Sequence, residues 1–130
     1  MGMSYIFDTN VVIYFLGKIM LTDTALIRLD GFCKLGQHLS IITKLELLGY
    51  NFERDLNESS TKKFVSNSLI YQITPDIETE TISLRKTAKI KLPDAIIAAT
   101  AISNNFTLIS ANTKDFAPIK HLRLINPFDL

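Results

Sequence analysis

Four acidic residues, spread along the whole chain, have the types and surroundings that could do chemistry: Asp8, Glu46, Asp94 and Asp115. Asp8 ends the apolar run Tyr5-Ile6-Phe7, and Glu46 follows Leu39-Ser40-Ile41-Ile42. Asp94 opens the apolar stretch from Ala95 to Ile102, and Asp115 lies in the polar segment after Phe106-Thr107-Leu108-Ile109. Carboxylates brought together repel and shift toward the protonated form unless a cation compensates them. A ligand set made only of oxygen favours Mg²⁺ or Mn²⁺ over zinc. Zinc is further disfavoured because His38 and His121 are isolated and Cys33 is the single cysteine. Such a site suits phosphodiester hydrolysis. One ion lowers the pKa of a bound water to make the nucleophile and a second stabilises the leaving oxygen, so no His, Ser or Lys nucleophile is required.

Each acid also has an ordinary explanation. Asp8 can cap the helix after it, and Glu46 sits three residues after Thr43, the spacing of a capping box. Asp94 can interact with a helix dipole, and an acid in a polar loop, like Asp115, is commonly just solvated. Asp76 shares the local chemistry of Asp94 and reads as a helix-start residue only. The joint placement of the four therefore carries the argument.

That placement depends on the elements. Tyr5-Ile6-Phe7, Leu39 to Ile42, Leu69 to Tyr71, Phe106 to Ile109 and Leu122 to Ile125 read as short buried strands. Helices are expected over Val11 to about Gly17 and over Thr22 to Lys34, the latter capped at Asp23 or Thr24. Further helices are expected from Lys44 to about Tyr50, capped by Thr43, and from Asn57 to Asn67. Thr74-Pro75-Asp76 and Pro93-Asp94 are two strong helix starts, because proline suits the first turn and aspartate its positive end. The first of these helices should reach about Lys89, and the second, almost wholly apolar, should be buried on most sides. Ser110 to Pro118 reads as a loop. Strands alternating with helices imply an α/β sandwich around a mostly parallel sheet with right-handed crossovers. In such a sheet ligands bind beyond the carboxyl ends of the strands, where the four acids can converge.

Composition bounds the rest. The 130 residues suffice for one domain with a hydrophobic core, and 47% are apolar. One cysteine excludes a disulfide framework within the chain and fits a reducing compartment. No signal peptide is visible and no apolar run is long enough to span a bilayer, so a cytoplasmic protein is expected. The formal net charge of +1 neither announces a nucleic-acid partner nor excludes one. Arg85, Lys86, Lys89 and Lys91 form a basic run leading to Asp94 that could steer a phosphate backbone, although a solvated helix face is the more ordinary reading, by roughly two to one. Phe15, Leu16 and Tyr50 suit a partner surface or the core, with core packing expected for at least two.

Four stretches in order resemble the PIN-domain nucleases, specifically the VapC-like toxins of type II toxin–antitoxin pairs. They are Phe7 to Ile13, Ile42 to Tyr50, Leu92 to Ala101 and Asn112 to Phe116, closed by Leu124-Ile125-Asn126-Pro127. The resemblance spans nearly the whole chain. It implies a Mg²⁺- or Mn²⁺-dependent endoribonuclease in which Asp8, Glu46 and Asp94 match the family's three core acids and Asp115 a fourth, more variable one. It further implies that Thr9 or Asn10, and Asn112, orient waters or the metal-binding carboxylates. A homodimer, an RNA substrate and a cognate antitoxin that covers the cleft are implied as well. Where many relatives carry an arginine this chain has Ala111, which removes a bidentate phosphate contact and bears on substrate choice.

Two other readings compete. A housekeeping PIN nuclease without an antitoxin keeps the chemistry, but the small size favours the toxin. A non-enzymatic phosphate-receiver module also places acids at strand ends; it requires an acid pair by the first strand and a phosphoacceptor aspartate, neither of which is present.

Overall fold

The central strand sorts the core by the alternation of its side chains. Ile6 points to one face of the sheet and Phe7 to the other, and Leu108 and Ile109 on the neighbouring strand repeat the division. The computed structural model describes residues 3–19, 21–50 and 57–129. Within them the chain runs β1 (Tyr5–Phe7), α1 (Thr9–Gly17), α2 (Asp23–Lys34), β2 (His38–Ser40), α3 (Ile41–Leu48), α4 (Glu58–Ser66) and β3 (Leu69–Tyr71). It continues through α5 (Pro75–Thr87), α6 (Leu92–Ser103), β4 (Thr107–Ile109), α7 (Thr113–Phe116) and β5 (Leu124–Ile125).

All five strands are parallel, in the order β3-β2-β1-β4-β5. Parallel neighbours need crossovers, and the helices supply them on both faces. One face is closed by α5, α6 and α7 through Ile77, Leu84, Ile97, Ala98 and Phe116, packed on Ile6 and Leu108. The other is closed by α1 to α4 through Val11, Val12, Leu29, Leu47, Phe64 and Val65, packed on Phe7, Leu39 and Ile109. The expected sandwich is therefore present. Helix α6 is buried without interruption from Ala95 to Ala101, as its composition foretells. Its run of small residues lets the helix lie close to the sheet. Phe15 and Leu16 pack against the second core cluster, as expected. Among the described residues no helix is long and apolar enough to cross a membrane.

The largest local correction falls at α3. Ile41 and Ile42 look like strand residues, yet the helix begins at Ile41, and Ser40 rather than Thr43 is its N-cap, with Oγ accepting from the Ile42 N–H at 3.1 Å. Thr43 is buried inside the helix and Glu46 lies in its second turn, so the capping box does not form. A cap available at the strand's last residue outweighs the modest helix propensity of two isoleucines. Similarly, Thr22, not Asp23 or Thr24, caps α2 by accepting from Ala25 N–H at 3.1 Å. The segment after β4 is not all loop, because burial of Phe116 winds Thr113–Phe116 into the short α7. Helix α5 stops at Thr87, two residues before the expected end.

Candidate active site

The strand order reverses direction at β1, with β2 and β3 to one side and β4 and β5 to the other. A crevice opens at such a switch point, beyond the carboxyl ends of β1 and β4. Asp8 stands in it. Its N–H continues the β1–β4 ladder by donating to Ile109 C=O at 2.9 Å, and its extended backbone makes it the N-cap of α1. The carboxylate Oδ1 accepts from Thr9 N–H at 2.9 Å, and Oδ2 accepts from the Ser110 hydroxyl at 2.8 Å. The side chain is therefore fixed at both oxygens, each keeping a spare lone pair.

Asp8 is only 4% exposed. Burial is the main force pushing its pKa up, to about 6; Asp94 and Glu46 push in the same direction, against the hydrogen bonds from Ser110 and Thr9. Asp94, half-buried in the first turn of α6, is raised first by burial and then by Asp115 and Glu46, with Lys91 opposing. The four acids remote in sequence thus act on one another at a single rim of the sheet. They face the crevice without closing into a ready-made cage: among the described residues no three acidic, histidine or cysteine side chains form a group poised to hold a common ion. What relates them is electrostatic: Asp94 and Glu46 both act on Asp8, and Asp115 and Glu46 both act on Asp94.

Two polar side chains hold the outer acids. The Thr9 hydroxyl, itself buried, donates to Oε1 of Glu46 and lies 3.1 Å from the Thr43 hydroxyl. Since Thr9 has one hydroxyl proton and gives it to the carboxylate, Thr43 donates to Thr9. Asn112 Nδ2 donates to Oδ2 of Asp115 at 2.9 Å, and its backbone N–H donates to Ser110 Oγ at 2.9 Å. Ser110 therefore links the carboxylate of Asp8 to the turn that holds Asp115.

A family model described as the PIN domain matches residues 5–122 of the sequence. The chain belongs to the PIN-domain family. No curated protein matches the sequence, but solved structures do. A toxin–antitoxin complex from Klebsiella pneumoniae is 31% identical, with 98% of this chain and 100% of that one covered at a TM-score of 0.73. VapBC2 from Rickettsia felis, bound to a DNA fragment from its promoter, is 25% identical over 95% and 98% of the two chains, with a TM-score of 0.75. VapBC-1 from nontypeable Haemophilus influenzae is also 25% identical, over 98% and 100%, at 0.76. The VapC-like resemblance read from the motifs is borne out, and a PIN domain is a nuclease, a hydrolase of phosphodiester bonds. The receiver reading fails, since receivers order their sheet 2-1-3-4-5 and this PIN domain orders it 3-2-1-4-5.

At the PIN crevice Asp8 feels Asp94 and Glu46, Asp94 feels Glu46 and Asp115, and Thr9 and Asn112 bond Glu46 and Asp115 respectively. Asn10 is different. It is exposed, and among the described residues it bonds none of these acids. Sequence reasoning passed over Ser110 and took Thr43 for a cap. A signal for Ser110 was present: it ends an apolar strand run as Asp8 does, and the parallel register sets the two side by side.

Proposed function

We propose that this PIN domain is a Mg²⁺- or Mn²⁺-dependent endoribonuclease and the toxin of a type II toxin–antitoxin pair, with Asp8, Glu46, Asp94 and Asp115 as its ion-holding acids. One observation carries the reading. A nearly inaccessible carboxylate, Asp8, is anchored at both oxygens and faces the negative charges of Asp94 and Glu46. The donor set fits a hard divalent cation: carboxylate oxygens only, each with lone pairs to spare, and no cysteine or histidine among them. A bound ion of this kind supplies an activated water and neutralises charge on the phosphate oxygens.

The chain's own residues do the positioning. Ser110 and the α1 N-terminus fix Asp8, Thr9 turns Glu46 inward, and Asn112 restrains Asp115. Burial of Asp8 keeps the base of the crevice dry, which strengthens any charge interaction there. Lys86, Lys89 and Lys91 are exposed, Lys91 close enough to act on Asp94, and they suit a phosphate backbone. Arg85 is committed elsewhere, donating to Ile90 C=O at 2.8 Å.

The antitoxin partner comes from the similarity to solved toxin–antitoxin complexes. A homodimer is favoured by exposed Leu45 and Leu48 on α3 and Leu92 on α6, two helices that pack on one another. Incubating the purified protein with cellular RNA tests the chemistry. Cleavage is expected to vanish in EDTA and to return with added Mg²⁺ or Mn²⁺; cutting that persists in chelator contradicts the proposal.

A further inference from the structure

Beside the acid crevice a groove of about 400 Å³ is lined by Tyr14, Thr22, Ala111, Asn126 and Phe128. Ala111 places it in register with the acids, because its neighbours in sequence are Ser110, which bonds Asp8, and Asn112, which bonds Asp115. Tyr14 lies six residues along α1 from Asp8, an axial distance of about 9 Å. That separation is within the reach of the neighbouring unit of a single-stranded polymer whose phosphate lies at the acids.

The lining suits a flat heterocycle. The rings of Tyr14 and Phe128 stand edge to face, with centroids 5.8 Å apart and planes at 77°. Asn126 Oδ1 accepts from the Phe128 N–H at 2.9 Å, and Arg28 donates to the Asp129 carbonyl, so the tail carrying the phenyl ring is tied down. That leaves Asn126 Nδ2 free to donate into the groove. Thr22 Oγ1 accepts from Ala25 N–H, leaving its own proton available. The Tyr14 hydroxyl has no hydrogen-bond partner among the described residues. Aromatic faces with neutral donors and no charged side chain give a phosphate no counter-charge and complement the acceptor atoms on a base edge. Ala111 contributes only a methyl group to the lining.

We infer that this groove is a base-binding subsite, which holds one unstacked nucleobase of single-stranded RNA against Tyr14 and Phe128 while Asn126 and Thr22 read its edge. The inference rests on the RNA-cleaving reading of the acid crevice and adds to it where the choice of cleavage position is made.

The test is cleavage of a randomised RNA pool by the full chain, with ends mapped by sequencing. Wild type is expected to prefer one base at a single position next to the cut. Tyr14→Leu, and Asn126→Asp, which keeps the acceptor that caps Phe128, are expected to flatten that preference. They should lower kcat/KM on the preferred RNA about tenfold or more through KM, and by less on other sequences. An unaltered preference, or a uniform loss over all sequences, overturns the subsite. A second arm measures binding of ribohomotetramers in EDTA. Base-selective binding that depends on Tyr14, without any cutting, upholds the subsite while the nuclease reading falls. Cutting without Tyr14 dependence in either assay does the reverse, and absence of both binding and cutting removes both. Variants that lose only affinity for a partner protein assign the groove to that protein and overturn the inference.

Discussion

The hydroxyl of Ser110 donates to Oδ2 of Asp8 at 2.8 Å from a position 102 residues further along the chain. Both residues are buried, and each immediately follows a strand, so the bond ties the ends of β1 and β4 together beneath the crevice. Ser110→Ala leaves a buried carboxylate oxygen and the Asn112 N–H without this partner. A loss of about 1–3 kcal/mol in stability is expected, with Mn²⁺ affinity down by about 10- to 100-fold, as for other supports of metal-binding side chains. Thermal melts and a Mn²⁺ titration measure the two effects; an unchanged affinity would show that the bond serves the fold alone.

The raised pKa of Asp8 makes the metal-free protein sensitive to pH. Below the unfolded value near 4 the group is protonated in both states and contributes no difference. As pH rises toward 6 only the unfolded chain has released the proton, and above 6 the folded state must carry the buried charge. At neutral pH this costs about 3 kcal/mol, the free-energy equivalent of a carboxyl pushed up to about 6. Burial of His38 acts with the opposite slope, since its lowered pKa costs stability as pH falls. Comparing wild type with Asp8→Asn cancels that contribution. The difference in melting temperature is expected to favour the variant at pH 7.5 and to shrink toward pH 5, in EDTA. Saturating Mn²⁺ should reverse the order at pH 7.5. A difference independent of pH would remove the buried charge as its cause.

Ser40 and Thr43 compete on paper for the start of α3, and the structure separates them. Ser40 Oγ caps the helix, while Thr43 meets Thr9 from inside it. Ser40→Ala should therefore lower stability by about 1 kcal/mol with cleavage activity retained. Thr43→Val, nearly the same shape, should leave the helix in place and loosen the Thr9–Glu46 contact, which appears as a raised metal requirement. Circular dichroism and activity against Mn²⁺ concentration distinguish the two. If Thr43→Val unfolds α3 and Ser40→Ala does not, the cap has been misplaced.

The same pair shows what the sequence discloses and what it hides. Short apolar runs, proline at helix starts and the acids at run ends are local signals, and they led to the parallel α/β sandwich and to Asp8, Glu46, Asp94 and Asp115 as candidates near the carboxyl ends of its strands. Whether Ile41 ends a strand or begins a helix is a near-balance of local preferences, settled by where Ser40 comes to lie. The roles of Ser110 and Thr43 were hidden for a related reason. A serine or threonine gains meaning only from its partner, and those partners lie 102 and 34 residues away. Helix α7 was missed because its four residues offer a single buried anchor, Phe116, too little for a periodic pattern.

Asp94 separates function from folding most cleanly. It occupies the first turn of α6 and makes no side-chain cap there, so the helix does not depend on it for a hydrogen bond. Its half-buried carboxylate is disfavoured by burial and by Asp115 and Glu46, and Lys91 offsets this only in part. Asp94→Asn keeps the shape and removes the charge. It gives up a dipole interaction of about 0.5 kcal/mol and gains relief from the neighbouring carboxylates, so stability without metal is expected within about 1 kcal/mol of wild type. Cleavage is a different matter. Loss of one charged ligand from an ion that stabilises the transition state by several kcal/mol should cut the rate about a hundredfold or more, and abolish growth inhibition on expression. A melt in EDTA, a cleavage assay in Mn²⁺ and a growth curve on induction check the three together. Full cleavage by a well-folded Asp94→Asn protein would place the ion, and the reaction, somewhere other than this crevice.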